Sequence, residues 1–354
     1  KNKDDGGYAL EMIDYDNPCL GADNWRASES ISGGTPGSQN AVFSNSSLLG
    51  GPQLESISIG GEDTLFLLFD RDLNLDVIDL MIFTCEELTI ESFGFNPEYA
   101  RKLFLHFQES IPQNEIFELI INKELQDCVG HINFEDQNVF FARPQPAEAG
   151  DLVINEILSD PYPEGSDFIE ILNISDKVLT LKDLALRNTL NDQTVPLGSD
   201  HLVFPGDYIV LTESKSDILL NYSVQNPNWL LELELPSFNN SEGNVQIGYL
   251  DLFGLRLIDE MNYDEDMHYS FLDDLEGVSL EKIQSDRPGL DRQNWHSAAA
   301  SAGYGTPTYQ NSQYLEAQGS FKDLKLSSER ISPDGDGYED VVLLEYILEK
   351  PGYK

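Results

Sequence analysis

The chain has few basic residues and no long apolar run, and both shortages argue against whole classes of function. Of its 354 residues, 21 are Lys or Arg and 63 are Asp or Glu, which gives a formal net charge of −42. Nucleic-acid and anionic-membrane binding both depend on Lys and Arg facing phosphate groups. No apolar stretch approaches the roughly 18–20 residues that a membrane-spanning helix needs. We therefore expect no nucleic-acid partner and no direct membrane insertion.

Recognisable catalytic patterns are also lacking. The five histidines show no HExxH spacing, no serine stands in a GxSxG turn, and no glycine-rich phosphate loop occurs. Acid pairs at the spacing of glycosidases cannot be read from sequence, because their separation in space is unknown. None of the cysteines forms a CxxC pair, which argues against structural zinc. The sequence predicts a protein that is not an enzyme.

A repeated motif is the most informative feature that is present. Segments 7–13, 24–25 and 34–40 match segments 277–283, 294–295 and 305–311 in the same order, with one single-residue slip. Such a repeat indicates a modular array. The second copy closes a full series of predicted strands, whereas few residues precede the first. We expect a piece of a longer multidomain protein.

Short apolar and alternating runs dominate the sequence between the two copies. Runs such as 54–59, 64–69, 117–121, 152–158, 168–172 and 208–211 have the length and period of β-strands, and sustained helical periodicity is missing. The predicted fold class is all-β, with tandem immunoglobulin-like β-sandwiches. The predicted units are residues 1–47, 48–144, 145–315 and 316–354, of which the first and last are incomplete.

Several motifs resemble known families. Segments 152–161, 167–173, 204–208 and 277–281 resemble a lamin tail domain, an immunoglobulin-like sandwich, in the versions found in surface and secreted proteins of Bacteroidota. Residues 1–43 resemble the end of another such domain. Residues 50–143 resemble Ig-like modules that accompany these domains. Segment 331–340 looks like the opening of an FlgD-like Ig module of type IX secretion substrates.

The resemblance implies a function and a location. It implies a non-catalytic scaffold or adhesion protein, extracellular or on the outer-membrane surface, whose partners are proteins or glycans of the cell surface and outer-membrane secretion components. Two alternatives remain open: an accessory region of a large secreted hydrolase or nuclease, and a structural component of an outer-membrane secretion or gliding assembly.

One acidic loop is a candidate calcium site. Asp334, Asp336 and Asp340 stand around Gly335 and Gly337, and calcium takes six to eight oxygen ligands from flexible loops. The alternative is a glycine-rich turn at the entrance of a strand. No other cofactor is expected.

Two further sets of residues are candidates for a metal site, and one tryptophan is a candidate contact residue. A cation could lie between Glu156, Asp160, Asp167 and Glu170 on neighbouring strands, although acids at strand ends usually face water. Asp264, Asp266 and His268 stand at alternate positions. On a strand their side chains would point to the same face, which would suit a metal ion. Trp229 has no counterpart in the repeat and could be an exposed contact residue.

The three cysteines predict one disulfide. Cys85 and Cys128 fall early and late in the first predicted sandwich, and an exported protein folds under oxidising conditions. We expect these two residues to pair. Cys19 is then left over, with a partner, if any, in the missing part of its own unit.

Overall fold

The computed structural model describes residues 6–44, 50–113, 115–252, 254–272 and 274–315, and the backbone of two strands beyond them. The strands, in chain order, are β1 (Leu10–Met12), β2 (Trp25–Ala27), β3 (Leu54–Gly60), β4 (Thr64–Phe69), β5 (Phe83–Thr84), β6 (Ile90–Phe95), β7 (Lys102–Phe107), β8 (Phe117–Ile121), β9 (Gln137–Phe141), β10 (Leu152–Leu158), β11 (Phe168–Asn173), β12 (Leu179–Thr180), β13 (Leu184–Asn188), β14 (Gln193–Pro196), β15 (Leu202–Val203), β16 (Tyr208–Thr212), β17 (Leu230–Glu232), β18 (Glu242–Asp251), β19 (Gly254–Asp264), β20 (Leu280–Lys282), β21 (Trp295–Ser297), β22 (Leu324–Leu326) and β23 (Leu344–Tyr346). The predicted all-β fold class is confirmed.

Helices are short in the described part of the chain. The one α-helix there, α1 (Lys215–Asn221), begins where the Ser214 hydroxyl accepts a hydrogen bond from the Asp217 backbone N–H. Two turns are too few to produce a readable helical period, so the sequence did not predict it. The 3₁₀ turns are Pro18–Asn24, Leu80–Ile82, Pro227–Trp229, Glu265–Met267, Arg292–Asn294 and Ala300–Ala302. No helix among the described residues is long and apolar enough to cross a membrane.

The first sandwich packs two antiparallel sheets face to face. Their strand orders are β3-β4-β7-β6 and β5-β8-β9. Alternate residues of β4, β7 and β8 point inward, and Leu65, Leu105 and Leu119 are fully buried between the sheets. Phe141 stacks on Phe107 in the same core. Alternation of buried and exposed side chains is the pattern that a two-sheet sandwich requires.

The second sandwich is larger. Its strand orders are β17-β16-β11-β10-β20-β21 and β14-β13-β18-β19, and β12 and β15 form a small separate sheet. All pairings are antiparallel except that of β16 with β17. Central strands β10 and β11 are buried along their whole length, because residues cover both of their faces. Ile154, Ile171 and Val245 contribute to one large apolar core.

The two copies of the repeated motif fold into the same hairpin. In the first copy Leu10 pairs with Ala27 and Met12 with Trp25. In the second copy β20 and β21 pair in the equivalent register, with Lys282 opposite Trp295. Each sheet of the described residues takes its strands from one of the four ranges predicted above. The positions of the domain boundaries themselves stay a prediction.

Candidate functional site at the junctions between the β-units

A disulfide joins the first hairpin unit to the first sandwich. Cys19 is bonded to Cys128, with 5.6 Å between the Cα atoms and 109 positions between the residues. Cys85 is a free cysteine. The predicted pairing of Cys85 with Cys128 is therefore wrong, and so is the expectation that Cys19 needs a partner from its own unit.

Strand register explains the correction. β5 runs antiparallel to β8, with Phe83 opposite Ile121 and Thr84 opposite Ile120. Cys85 therefore lies toward the beginning of β8, whereas Cys128 follows its end. A disulfide needs Cα atoms within about 7 Å, which this divergence does not favour. Burial raises the pKa of the Cys85 thiol, which reduces its reactivity.

Polar contacts surround the disulfide and fix the same junction. The Asp72 backbone N–H donates to the Cys19 carbonyl at 2.7 Å, and the Cys128 N–H donates to the Asp72 carbonyl at 2.9 Å. The Arg101 guanidinium donates to the Leu20 carbonyl and to the Asp23 carboxylate, both at 2.9 Å. The first unit is thus attached to the sandwich by covalent, backbone and ionic contacts together.

The second junction is apolar. Val178 and Leu202, beside and within the small β12-β15 sheet, pack into the core cluster of the first sandwich, and Phe204 packs against it. The Gln145 N–H donates to the Val178 carbonyl at 2.8 Å. The linker between the sandwiches is therefore bonded to the second sandwich, which places side chains in the core of the first.

A cleft lies beside this second junction. Its volume is about 620 Å³, within the size range of small-ligand sites. The walls come from the edge strands β3 and β9, from Ile116 directly before β8, and from residues 201–207 and 228–229. The lining residues are Leu54, Glu55, Ser56, Ile57, Ile116, Asn138, Val139, Phe140, His201, Leu202, Phe204, Asp207, Asn228 and Trp229. Phe140 and Ile116 are exposed. The cleft can accept an apolar or aromatic group.

Trp229 is partly buried rather than fully exposed. It packs against the core of the second sandwich and also lines the cleft. Burial lowers the pKa of neighbouring His201 to about 4, so its imidazole is neutral at pH 7. Burial raises the pKa of Asp207 to about 6, although its carboxylate accepts a hydrogen bond from the Phe204 N–H. At neutral pH the second-sandwich side of the cleft therefore carries a neutral imidazole at His201 and an ionised carboxylate at Asp207.

Two of the four strand acids belong to a buried carboxylate cluster instead of a cation site. Glu156 lies directly opposite Glu170 on one side and Glu281 on the other, in three adjacent strands. All three are fully buried. Glu170 accepts hydrogen bonds from the Asn155 amide and the Thr308 N–H. Residues of the segment 306–313 cover the cluster and donate to it.

The hydrogen-bond geometry and the raised pKa values both favour a proton on the cluster. The Thr306 hydroxyl lies 2.8 Å from Glu281 Oε1 and 3.1 Å from Glu156 Oε2, and it has one hydrogen to donate. A proton on one of the two carboxyl groups would satisfy both contacts, because that group would donate to the hydroxyl in return. Burial and the Glu281 carboxylate raise the pKa of Glu156 to about 8, and burial and Glu156 raise that of Glu170 well above its ordinary range.

We predict a stability change with pH that Glu156→Gln reduces. A folded-state pKa near 8, against 4.5 as the ordinary value, means that the folded state holds the proton more tightly. This contribution is complete below pH 4.5 and is lost as the pH rises toward 8. Glutamine keeps the donor geometry without a titratable group. The urea midpoint of the variant should rise relative to that of the native protein as the pH increases from 5 to 8.

Glu11→Gln is the matched control for this prediction. Glu11 occupies the position of Glu281 in the first hairpin, and a hydrogen bond from Thr35 lowers its pKa. This substitution should give no gain at pH 8. Equal midpoint differences for Glu156→Gln at pH 5 and pH 8 would contradict the protonated cluster.

The remaining candidate metal residues are separated or engaged elsewhere. The Asp160 carboxylate accepts a hydrogen bond from the Asn240 amide. Burial raises the pKa of Asp167 to about 7. The strand alternation expected for Asp264, Asp266 and His268 is wrong, because a 3₁₀ turn begins after Asp264. Among the residues that the structure describes, no group of three or more His, Cys, Asp or Glu is arranged to hold a metal ion. Asp334, Asp336 and Asp340 lie outside the described residues.

Comparisons with known proteins find only distant similarity. No protein-family profile and no curated protein matches the sequence. The N-terminal part of the bacterial S-layer protein SbsC is 11% identical over 45% of this chain and 40% of that one, with a TM-score of 0.24. The S-layer protein rSbsC(31-844) is 10% identical over 60% and 41%, with a TM-score of 0.24. This chain thus spans less than half the length of either.

A fragment of native alpha-2-macroglobulin from Escherichia coli, spanning domains MG0-NIE-MG1, is also similar. It is 11% identical over 71% of this chain and 88% of that one, with a TM-score of 0.22. TM-scores this low establish neither a shared topology nor a shared function.

Proposed function

We propose that the chain is a non-catalytic scaffold segment of a modular surface or secreted protein, which holds successive β-units in fixed order and presents them to protein or glycan partners. The observation that carries this proposal is the construction of the two junctions. One is closed by the Cys19–Cys128 disulfide, and the other by Val178 and Leu202 in the core of the neighbouring sandwich. Units that only needed to be connected would not require either.

The composition supports an exported setting. A disulfide persists under oxidising conditions outside the cytosol. A net charge of −42 favours solubility and discourages self-association. These two features fit the export that the type IX proposal requires, and the motifs in segments 152–161 and 331–340 support the lamin tail and type IX proposals. Calcium bound by Asp334, Asp336 and Asp340 remains part of the same proposal.

Fixed junctions fit one of the two rival functions less directly and do not separate the other from the scaffold. An accessory region of a hydrolase or nuclease needs only to stay attached to its enzyme, and flexible linkers suffice for that. A component of a secretion assembly would use the same junctions but would purify with fixed partners. The junction contacts therefore favour the scaffold over the enzyme accessory, and co-purification with fixed partners would favour the secretion component.

Solution scattering tests the apolar junction. Leu202→Asp places a charge where Leu202 now packs against the first sandwich, so the two sandwiches should separate. We expect small-angle X-ray scattering to show a larger radius of gyration and a broader distance distribution for this variant. The native protein should give one narrow distribution.

Leu252→Asp is the control, because Leu252 is fully exposed. It should scatter like the native protein. Circular dichroism checks that both variants keep their sheets. If Leu202→Asp keeps its sheets and its scattering profile is unchanged, the junction is not held by this packing and the scaffold proposal fails.

A further inference from the structure

The apolar face of the first hairpin is open, whereas the same face of the second hairpin is covered. Leu10 is 70% exposed and Trp25 is 47% exposed. Their counterparts at an offset of 270 positions, Leu280 and Trp295, are 2% and 4% exposed. The leucine and the tryptophan are shared by both copies of the motif, so these two side chains do not themselves cause the difference.

The internal contacts of the two hairpins agree in detail. The Asn24 side chain accepts from the Asp14 N–H and donates to the Asp14 carbonyl, as Asn294 does with Gln284. The Thr35 hydroxyl donates to Glu11.

The matching bond in the second copy runs from the Thr306 hydroxyl to Glu281. The Asn40 amide donates to the Met12 carbonyl, as that of Asn311 does to Lys282. The first hairpin is thus folded like the second, and among the described residues β2 is the only strand paired with β1.

The second copy shows what occupies the equivalent side of its hairpin. Strand β10 pairs with the outer edge of β20, with Ile157 opposite Leu280 and Glu156 opposite Glu281. Trp295 packs into the core between the two sheets of the sandwich, and its indole N–H donates to the Gly289 carbonyl. The occupant is therefore the front part of a sandwich, residues 145–276 in this chain.

We propose that the edge of β1 and the Leu10–Trp25 face dock the front part of another lamin-tail-like β-sandwich, whose docking strand has the β10 pattern of a nearly continuous apolar run that contains a glutamate. The partner glutamate lies opposite Glu11 and meets the Thr35 hydroxyl, as Glu156 meets Thr306. A second copy of this chain is a poor partner, because the edge of its β10 is already paired with its own β20. The partner is a sandwich front without a closing hairpin.

This inference rests on the proposed scaffold function, because it adds a further unit to the same array. A fusion tests it. Residues 145–276 are placed directly before Gly7. The last residue of the added copy is then bonded to Gly7, as Glu276 is bonded to Gly277 in the second sandwich. Hydrogen exchange of the β1 amides, followed by mass spectrometry, is the readout. We expect exchange at least about tenfold slower in the fusion than in the unfused chain, because strand pairing protects amides.

Leu10→Asp is the matched variant. In the unfused chain Leu10 is exposed, so the substitution should leave β1 exchange unchanged. In the fusion it should abolish the added protection, because the charge would enter the new core.

Unprotected β1 amides in the fusion would overturn the proposal. The same segment folds against its own hairpin, β20 and β21, in this chain. If it does not fold against the first hairpin, it does not dock there. Protection that survives Leu10→Asp would overturn it as well. The scattering test of Leu202→Asp is independent of both outcomes, so failure of the scaffold proposal would be seen separately.

Discussion

Trp295→Ala is expected to destabilise the second sandwich by about 3–5 kcal/mol, whereas Trp25→Ala, at the same position of the same motif, should cost less than about 1 kcal/mol. Trp295 is enclosed in the large apolar core and donates a buried hydrogen bond to the Gly289 carbonyl. Removing it leaves a large cavity and an unpaired carbonyl. Trp25 loses only partial contacts on an open face.

Denaturant unfolding monitored by circular dichroism measures this difference. Because the units can unfold in separate steps, the transition assigned to the second sandwich is the one to compare. Trp25→Ala is the control for the loss of an indole as such. Equal losses in the two variants would mean that the Leu10–Trp25 face is covered in solution, and the description of an open hairpin would be wrong.

Much of the β-structure was predictable because its strands are short and strongly patterned. Segment 64–69 was predicted to the residue, and 117–121 and 152–158 coincide with β8 and β10. Continuous apolar runs indicate strands buried on both faces, and β10 is such a strand. The repeat predicted one local structure at two places, which the shared hairpin register bears out.

Other strands and pairings depend on contacts that sequence does not display. β19 carries Arg256, Asp259 and Glu260, so its apolar run is broken, and its pairing with β18 supplies the missing signal. The partner of Cys128 could not be read from spacing either, because it is set by the path of a separate unit. The opening turn around Cys19 docks beside Asp72 only through tertiary contacts.

The buried glutamates show the same limit. Glu156 and Glu170 look like solvent-facing strand acids in sequence, and Glu281 lies in the repeat. Only the register of β11, β10 and β20 brings the three side by side. The cover of segment 306–313 then supplies their donors. A run of acids across neighbouring strands is invisible until the strand order is known.

Loss of the Cys19–Cys128 disulfide is the second large effect. The bond closes a loop of about 109 residues that contains strands β3 to β8, nearly the whole first sandwich. Chain-entropy arguments give roughly 4–5 kcal/mol for a loop of this size. Cys19→Ser should therefore shift the unfolding of the first sandwich to clearly lower denaturant. Cys85→Ser should have little effect, because Cys85 is a free thiol.

When the chain is pulled by its ends, the same bond keeps most of the first sandwich as a closed loop. That resistance to extension is the central claim of a scaffold with fixed junctions. Pulling the oxidised protein by its two ends cannot extend the 109 positions between the bonded cysteines. At about 3.3–3.6 Å per residue, the hidden length is roughly 360–390 Å.

Single-molecule force spectroscopy with and without reductant measures that length directly. The account predicts that reduction adds an unfolding event of that size, and that Cys85→Ser behaves like the native protein. Equal extension in both conditions, or an added length that matches the shorter Cys85–Cys128 loop, would contradict it.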